Sequence, residues 1–313
     1  MNTLTRPWIY GAGLAVVFGG SLAIGQWAGP LGATGGDEPA GHAAHGGDGG
    51  TAPAGPVVPG GLQISQDGYT LVPETTTVRA DRRTDFRFSV TGPDGRPVTR
   101  YTTIHGKKLH FIVARRDLSG FQHLHPTEAG NGTWTVPLTL PEPGTYRVFT
   151  DLQPAGVKEQ LTLGMDVSAP GDLEPEPLPK AERAARVGDY EVKLDGALVP
   201  GRTSKLTLTV SRNGAPVTDL EPYLEAYGHL VALRSGDLAY LHVHPDGEPG
   251  DGRTRPGPQI TFYAEVPSTG AYRLYLDFQH RGKVRTAEFT AVAGPAKVPA
   301  EPAGGHEDDG HGH

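Results

Sequence analysis

His110-Phe-Ile-Val-Ala-Arg-Arg-Asp-Leu-Ser-Gly-Phe-Gln-His123-Leu-His125-Pro126 returns 119 residues later as His229-Leu-Val-Ala-Leu-Arg-Ser-Gly-Asp-Leu-Ala-Tyr-Leu-His242-Val-His244-Pro245. The match extends on both sides. Gly95-Arg-Pro-Val-Thr99 corresponds to Gly214-Ala-Pro-Val-Thr218 at the same offset. Past an insertion of about seven residues, Pro141-Glu-Pro-Gly-Thr-Tyr146-Arg-Val-Phe-Thr-Asp151-Leu-Gln153 corresponds to Pro267-Ser-Thr-Gly-Ala-Tyr272-Arg-Leu-Tyr-Leu-Asp277-Phe-Gln279. Agreement over several separated segments marks an internal duplication.

Each copy reads as β-structure. Asp85 to Val90 and Lys205 to Val210 alternate apolar and polar residues with period two, as do 132–140, 145–152 and 160–167. Gly, Pro, Asp and Asn punctuate the runs. No stretch of the body sustains a period of 3.6; Lys180 to Arg186 has room for two helical turns at most. Many short strands with turn signals every 8–12 residues predict an all-β chain of two tandem immunoglobulin-like β-sandwich domains. Pro-Gly-x-Tyr-Arg fits a corner before a late strand, with the tyrosine in the core.

Composition places the boundaries. Gly (45) and Pro (29) make up about a quarter of the 313 residues and concentrate in a few stretches. Residues 8–27 carry no charge and have a Trp near each end, which predicts a transmembrane anchor after a cytoplasmic N-terminus of residues 1–7. A cleaved signal peptide, and hence a secreted protein, is the alternative. Either way the body is expected outside the cytoplasm, with residues 28–61 as a flexible stalk. The sandwiches are expected at 62–168 and 187–293, joined by a linker at 169–186, with a His-rich acidic tail at 294–313.

The net charge of −7 and the absence of any Lys/Arg cluster argue against a nucleic-acid partner. With no cysteine, disulfides, thiolate metal sites, Cys nucleophiles and blue-copper centres are excluded. Two methionines, Met1 and Met165, cannot build a thioether Cu(I) site. No nucleophile motif, carboxylate pair or cofactor loop is recognisable, so an enzyme is not expected.

Histidine remains. On a strand, residues i and i+2 project from one face, so His123 with His125, and His242 with His244, are expected to point together. If residues 118 and 119 form the tip of a hairpin, Ile112 faces His125 and His110 lies diagonally on the same face. The sequence therefore predicts two metal sites, His110/His123/His125 and His229/His242/His244. Imidazole-only ligation favours Cu(II), with Zn(II) as the second candidate. Asp151 and Asp277 are weaker candidates, as fourth ligands or as acceptors that fix an imidazole tautomer. His42 and His45 in the stalk and His306, His311 and His313 in the tail read as weak metal capture. His105 and His280 have no counterpart in the other copy and are expected at the surface. The competing expectation is a structural or adhesion-type tandem module that binds another protein, with the histidines serving only to pack.

Asp117-Leu-Ser-Gly-Phe121-Gln-His123-Leu-His125-Pro126, followed by Gly144-Thr-Tyr-Arg-Val-Phe-Thr-Asp151, resembles a group of bacterial secreted or membrane-anchored β-sandwich domains. Those domains carry an Asp-Leu-Ser-x-Phe-x-His-x-His-Pro signature and a later Gly-x-Tyr-x-x-x-x-Asp stretch. The resemblance implies a place in extracytoplasmic copper or heavy-metal handling, with a metal ion and another metal-handling protein as partners. The second copy departs from the signature with Asp237-Leu-Ala-Tyr-Leu before His242, so the Ser and Phe positions are not essential to the histidine set.

Overall fold

The computed structural model describes residues 58–294 except His242, and every regular element among them is a β-strand. The expected membrane span and the His-rich tail lie outside the described residues. Among the described residues no helix is long and apolar enough to cross a membrane.

The first repeat contains β1 (Ser65–Gln66), β2 (Tyr69–Pro73), β3 (Thr84–Thr91), β4 (Tyr101–Thr102) and β5 (Leu109–Arg115). It continues with β6 (Gln122–Leu124), β7 (Thr127–Gly130), β8 (Thr133–Leu138), β9 (Gly144–Pro154) and β10 (Leu161–Ala169). The second repeat contains β11 (Ala184–Val187), β12 (Tyr190–Asp195), β13 (Thr203–Arg212), β14 (Ala215–Pro216) and β15 (His229–Arg234). It ends with β16 (Tyr240–Leu241), β17 (Val243–Pro245), β18 (Gln259–Glu265), β19 (Gly270–His280) and β20 (Lys283–Ala293). Of Lys180 to Arg186, given room above for at most two helical turns, residues 184–186 belong to β11, which pairs with β12 as a strand.

Strand order identifies the architecture. One sheet of the first repeat runs β1-β2-β3-β8-β7 and the other β10-β9-β5-β6; the second repeat gives β11-β12-β13-β18-β17 and β16-β15-β19-β20. With β2, β3, β8 and β7 read as strands A, B, E and D, and β10, β9, β5 and β6 as G, F, C and C′, this is the immunoglobulin order. The tyrosine corner is present in both copies. Tyr146 Oη donates to Glu142 O at 2.9 Å, and Tyr272 Oη donates to Ser268 O at 2.8 Å. An antibody domain places a cysteine two residues past that tyrosine; here Val148 and Leu274 stand there, fully buried. In the first core, Phe88 of strand B stacks on Phe111 of strand C with centroids 5.3 Å apart.

Each repeat has its own core. Phe86, Phe88, Phe111, Trp134, Val136 and Leu163 belong to the first, and Leu206, Leu208, Phe262, Leu274, Phe278 and Phe289 to the second. A third buried cluster joins them: Ile112, Ala114, Leu118 and Phe149 of the first repeat pack with Val231, Leu233, Leu238 and Tyr275 of the second. Leu118 and Leu238 lie in the turns after the C strands; the others project from the outer faces of the C and F strands. Strand β5 is therefore buried along its whole length, Leu109 and Phe111 facing the sandwich and His110, Ile112 and Ala114 facing the junction.

The junction is reciprocal. Phe121 of the first repeat stacks on Tyr275 of the second at 3.9 Å, and Tyr240 of the second meets Phe149 of the first at 5.6 Å. Phe121 corresponds to Tyr240, and Phe149 to Tyr275, in the sequence alignment of the copies. Two copies of one surface thus face each other, as in an isologous dimer.

The chain's entry is also fixed here. Gly60, expected in the stalk, forms a bridge to Tyr240, which donates its N–H to Gly60 O at 2.9 Å. Arg147 Nε and Nη2 donate to Gly61 O at 3.0 and 2.6 Å. A side chain at position 164 would stand 2.0 Å from that carbonyl, so Gly164 permits the approach. The buried guanidinium needs an acceptor, and the last residues of the expected stalk supply it.

Candidate metal centre

Strand pairing, not spacing alone, places the histidines. Ile112 pairs with His123 across β5 and β6, two residues away from the register expected above, in which it faced His125. The difference arises at the turn, where Leu118 and Gly120 both take positive φ and β6 starts only at Gln122. An even shift keeps the face, so His110 and His123 still project together toward the junction.

The His-x-His pairs are not single-strand pairs. In each copy the motif carries the chain from strand C′ in one sheet to strand D in the other. In the first repeat β6 ends at Leu124, and His125 lies in the connection to β7. In the second, β16 ends at Leu241, while His244 lies on β17 opposite Tyr263 of the other sheet and is exposed. His242 lies outside the described residues. The expected His229/His242/His244 trio is therefore not tested by the described residues. Among these, His229 joins the histidines of the first repeat.

His110, His123 and His229 offer ring nitrogens that all lie within 4.8 Å of one another. The rings of His110 and His229, equivalent residues of the two copies, are stacked at 5.7 Å and 9°. His125 adds a fourth ring, 4.9 Å from His123 and 5.2 Å from His110. His105, expected at the surface, sits 6.2 Å from His110 and 5.9 Å from His229 on a residue of positive φ. No spacing signal could have found His105, because the second copy has no equivalent. His280 was also expected at the surface and is buried, held by Tyr190 Oη at 2.8 Å and Asp219 Oδ1 at 3.0 Å, away from this group.

The hydrogen bonds fix which nitrogens carry lone pairs. His110 Nε2 lies 3.0 Å from Ile104 O, which can only accept, so that nitrogen bears the proton and Nδ1 is bare. His123 Nδ1 donates to Asp277 Oδ2 at 2.8 Å, which leaves its Nε2 bare. The two bare nitrogens face each other at 3.1 Å. Neutral rings cannot satisfy that contact; it needs a proton or a cation between them. His229 Nδ1 and His125 Nε2 are buried with no hydrogen-bond partner.

Electrostatics favours neutral ligands at this point. Burial, then the neighbouring His123, pushes His110 from the usual 6.5 down to about 3. The same two causes hold His125 at about 4 and His229 well below its ordinary value. The aspartates are split. Asp277 accepts from His123 and from Thr286 Oγ1 at 2.5 Å, so it orients an imidazole rather than facing the other rings. Asp151, across from His110 in the ladder, accepts from Thr162 Oγ1 at 2.9 Å. Both are buried strand residues. Sequence reasoning had no signal for Thr286 or the Ile104 carbonyl, which act through backbone and neighbouring strands.

The family of domains described as a domain of unknown function, DUF8832, matches twice, over residues 64–169 and 185–294. The chain belongs to this family. No curated protein matches it. Among solved structures, the chain is similar to the Escherichia coli adhesin FdeC, at 17% identity over 74% of this chain and 65% of that one, with a TM-score of 0.24. It is also similar to invasin, a bacterial integrin-binding protein, at 14% identity over 74% of this chain and 41% of that one, with a TM-score of 0.23. InvD of Yersinia pseudotuberculosis gives 17% identity over 76% and 62%, with a TM-score of 0.23. The chain thus spans less than two thirds of these structures' lengths, and such faint likeness carries no argument about its activity.

Proposed function

We propose that this protein binds a divalent transition-metal ion, Cu(II) or Zn(II), at the junction of its two immunoglobulin-like repeats, held at the outer face of a membrane for capture or delivery. The observation that carries this reading is the set of three convergent nitrogens. A proton can bridge His110 Nδ1 and His123 Nε2, but it leaves His229 Nδ1 buried and unpartnered; one ion satisfies all three. The 3.1 Å separation is close to the roughly 3.3 Å between two nitrogens sharing a tetrahedral ion at about 2.0–2.1 Å. Asp277 supplies the carboxylate that commonly orients a metal-bound histidine and sets its tautomer. Nitrogen-only ligation fits Cu(II) and Zn(II), and cysteine is absent. Delivery to another extracytoplasmic metal-handling protein, and the membrane anchor at residues 8–27, belong to the proposal and stand on the sequence.

A second reading is favoured by the His123–Asp277 bond, which crosses from one repeat to the other. In it a proton rather than an ion lies between His123 and His110, and the histidines only pin a tandem module that binds another protein. Calorimetric titration of Cu(II) and Zn(II) separates the two readings. The protein to use is the full chain with His42, His45, His306, His311 and His313 changed to alanine. The metal reading predicts binding that His110→Ala/His123→Ala removes. Heat no larger in the parent than in that double variant leaves the adhesion-type module.

A further inference from the structure

His110 and His123 belong to the first repeat and His229 to the second, so an ion held by all three is a cross-link between two independently cored sandwiches. The rest of the junction is built differently. One part is dry and aromatic, with Phe121 on Tyr275 and Tyr275 Oη donating to Leu118 O at 2.5 Å. Among the described residues, the histidine part crosses the junction through the bond from His123 to Asp277 and the ring contacts of His229 with His110 and His123.

We infer that the metal ion acts as a clasp. Its binding closes the histidine side of the junction, and its loss lets the repeats part there while the aromatic side stays as the hinge. The inference rests on the metal reading and adds what the site regulates: the stiffness of the tandem. It follows from where the ligands sit. A site built within one sandwich would leave the second indifferent to metal. Here the second repeat contributes both His229 and, through Asp277, the group that orients His123. An ion that binds only the closed arrangement stabilises that arrangement by its own binding free energy.

The test is hydrogen exchange on the full chain lacking the five tail and stalk histidines, with Zn(II) or with chelator. The clasp predicts that Zn(II) slows exchange at least tenfold on both sides of the junction, in β5 and β6 and in β15 and β19. Asp277→Asn keeps all three ligands and nearly the same volume, so it folds even if His229→Ala does not. It is expected to bind Zn(II) more weakly and to lose the protection of β15 and β19 at the same metal concentration. Zn(II) binding with protection confined to the first repeat would overturn the clasp while leaving a metal site. Absence of binding would overturn the metal reading beneath it, and calorimetry on the same samples tells the two failures apart.

Discussion

Asp277 serves two neighbours with two oxygens, Oδ2 toward His123 and Oδ1 toward Thr286. Replacing it by asparagine keeps the shape but offers an amide where His123 Nδ1–H needs an acceptor. By the usual effect of such orienting groups, Asp277→Asn should weaken metal binding by about 10–100-fold. A calorimetric titration checks this; an unchanged affinity would show that the tautomer of His123 is not set from the second repeat. The histidines also make a prediction for chelated, metal-free protein. His110 is held near 3 in the folded state against 6.5 in the open chain, so the unfolded state takes up the proton first. Stability is therefore complete above about pH 6.5 and falls as pH drops toward 3, by up to about 1.4 kcal/mol per pH unit from this residue. His125 acts in the same direction with a smaller, solvent-screened share. Urea unfolding at pH 7, 5.5 and 4.5 measures the slope. His110→Phe should flatten it, and a slope unaffected by that change would place the titration elsewhere.

At the scale of strands, alternation made the core legible: the period-two runs at 85–90 and 205–210 became β3 and β13, with every second residue buried. Tyr146 and Tyr272, read as core residues ahead of a late strand, became tyrosine corners. Tyr272→Phe should cost about 1 kcal/mol by leaving the Ser268 carbonyl without its donor. What the alternation could not show was where the motif strand ends. A proline stops a strand by lacking a donor, but nothing local says that the chain then joins the other sheet. The aromatic side of the junction was equally hidden, because Phe121 and Tyr240 look like ordinary strand residues until two faces meet. Phe121→Ala should destabilise the protein by about 2 kcal/mol, less than a fully buried ring would, since Phe121 is only partly buried. Thermal denaturation reads this loss, and one near zero would mean the stack on Tyr275 does not hold the repeats together.

For the whole molecule, duplication was plain in the sequence and its consequence was not. The repeat suggested two sites, one per sandwich. The fold sets the copies face to face, so that the equivalent residues His110 and His229 stack on one another. A site assembled across that junction would draw on both copies, which spacing within one copy cannot reveal. The central claim is that both repeats build one metal centre. It is tested most directly by Cu(II) titration of the chain without its stalk and tail histidines, followed by electron paramagnetic resonance, with and without His229→Ala. The account predicts that this single change in the second repeat lowers affinity at least tenfold and reduces the number of nitrogens coupled to the copper. A Cu(II) spectrum and affinity untouched by His229→Ala would contradict it and return the site to the first repeat alone.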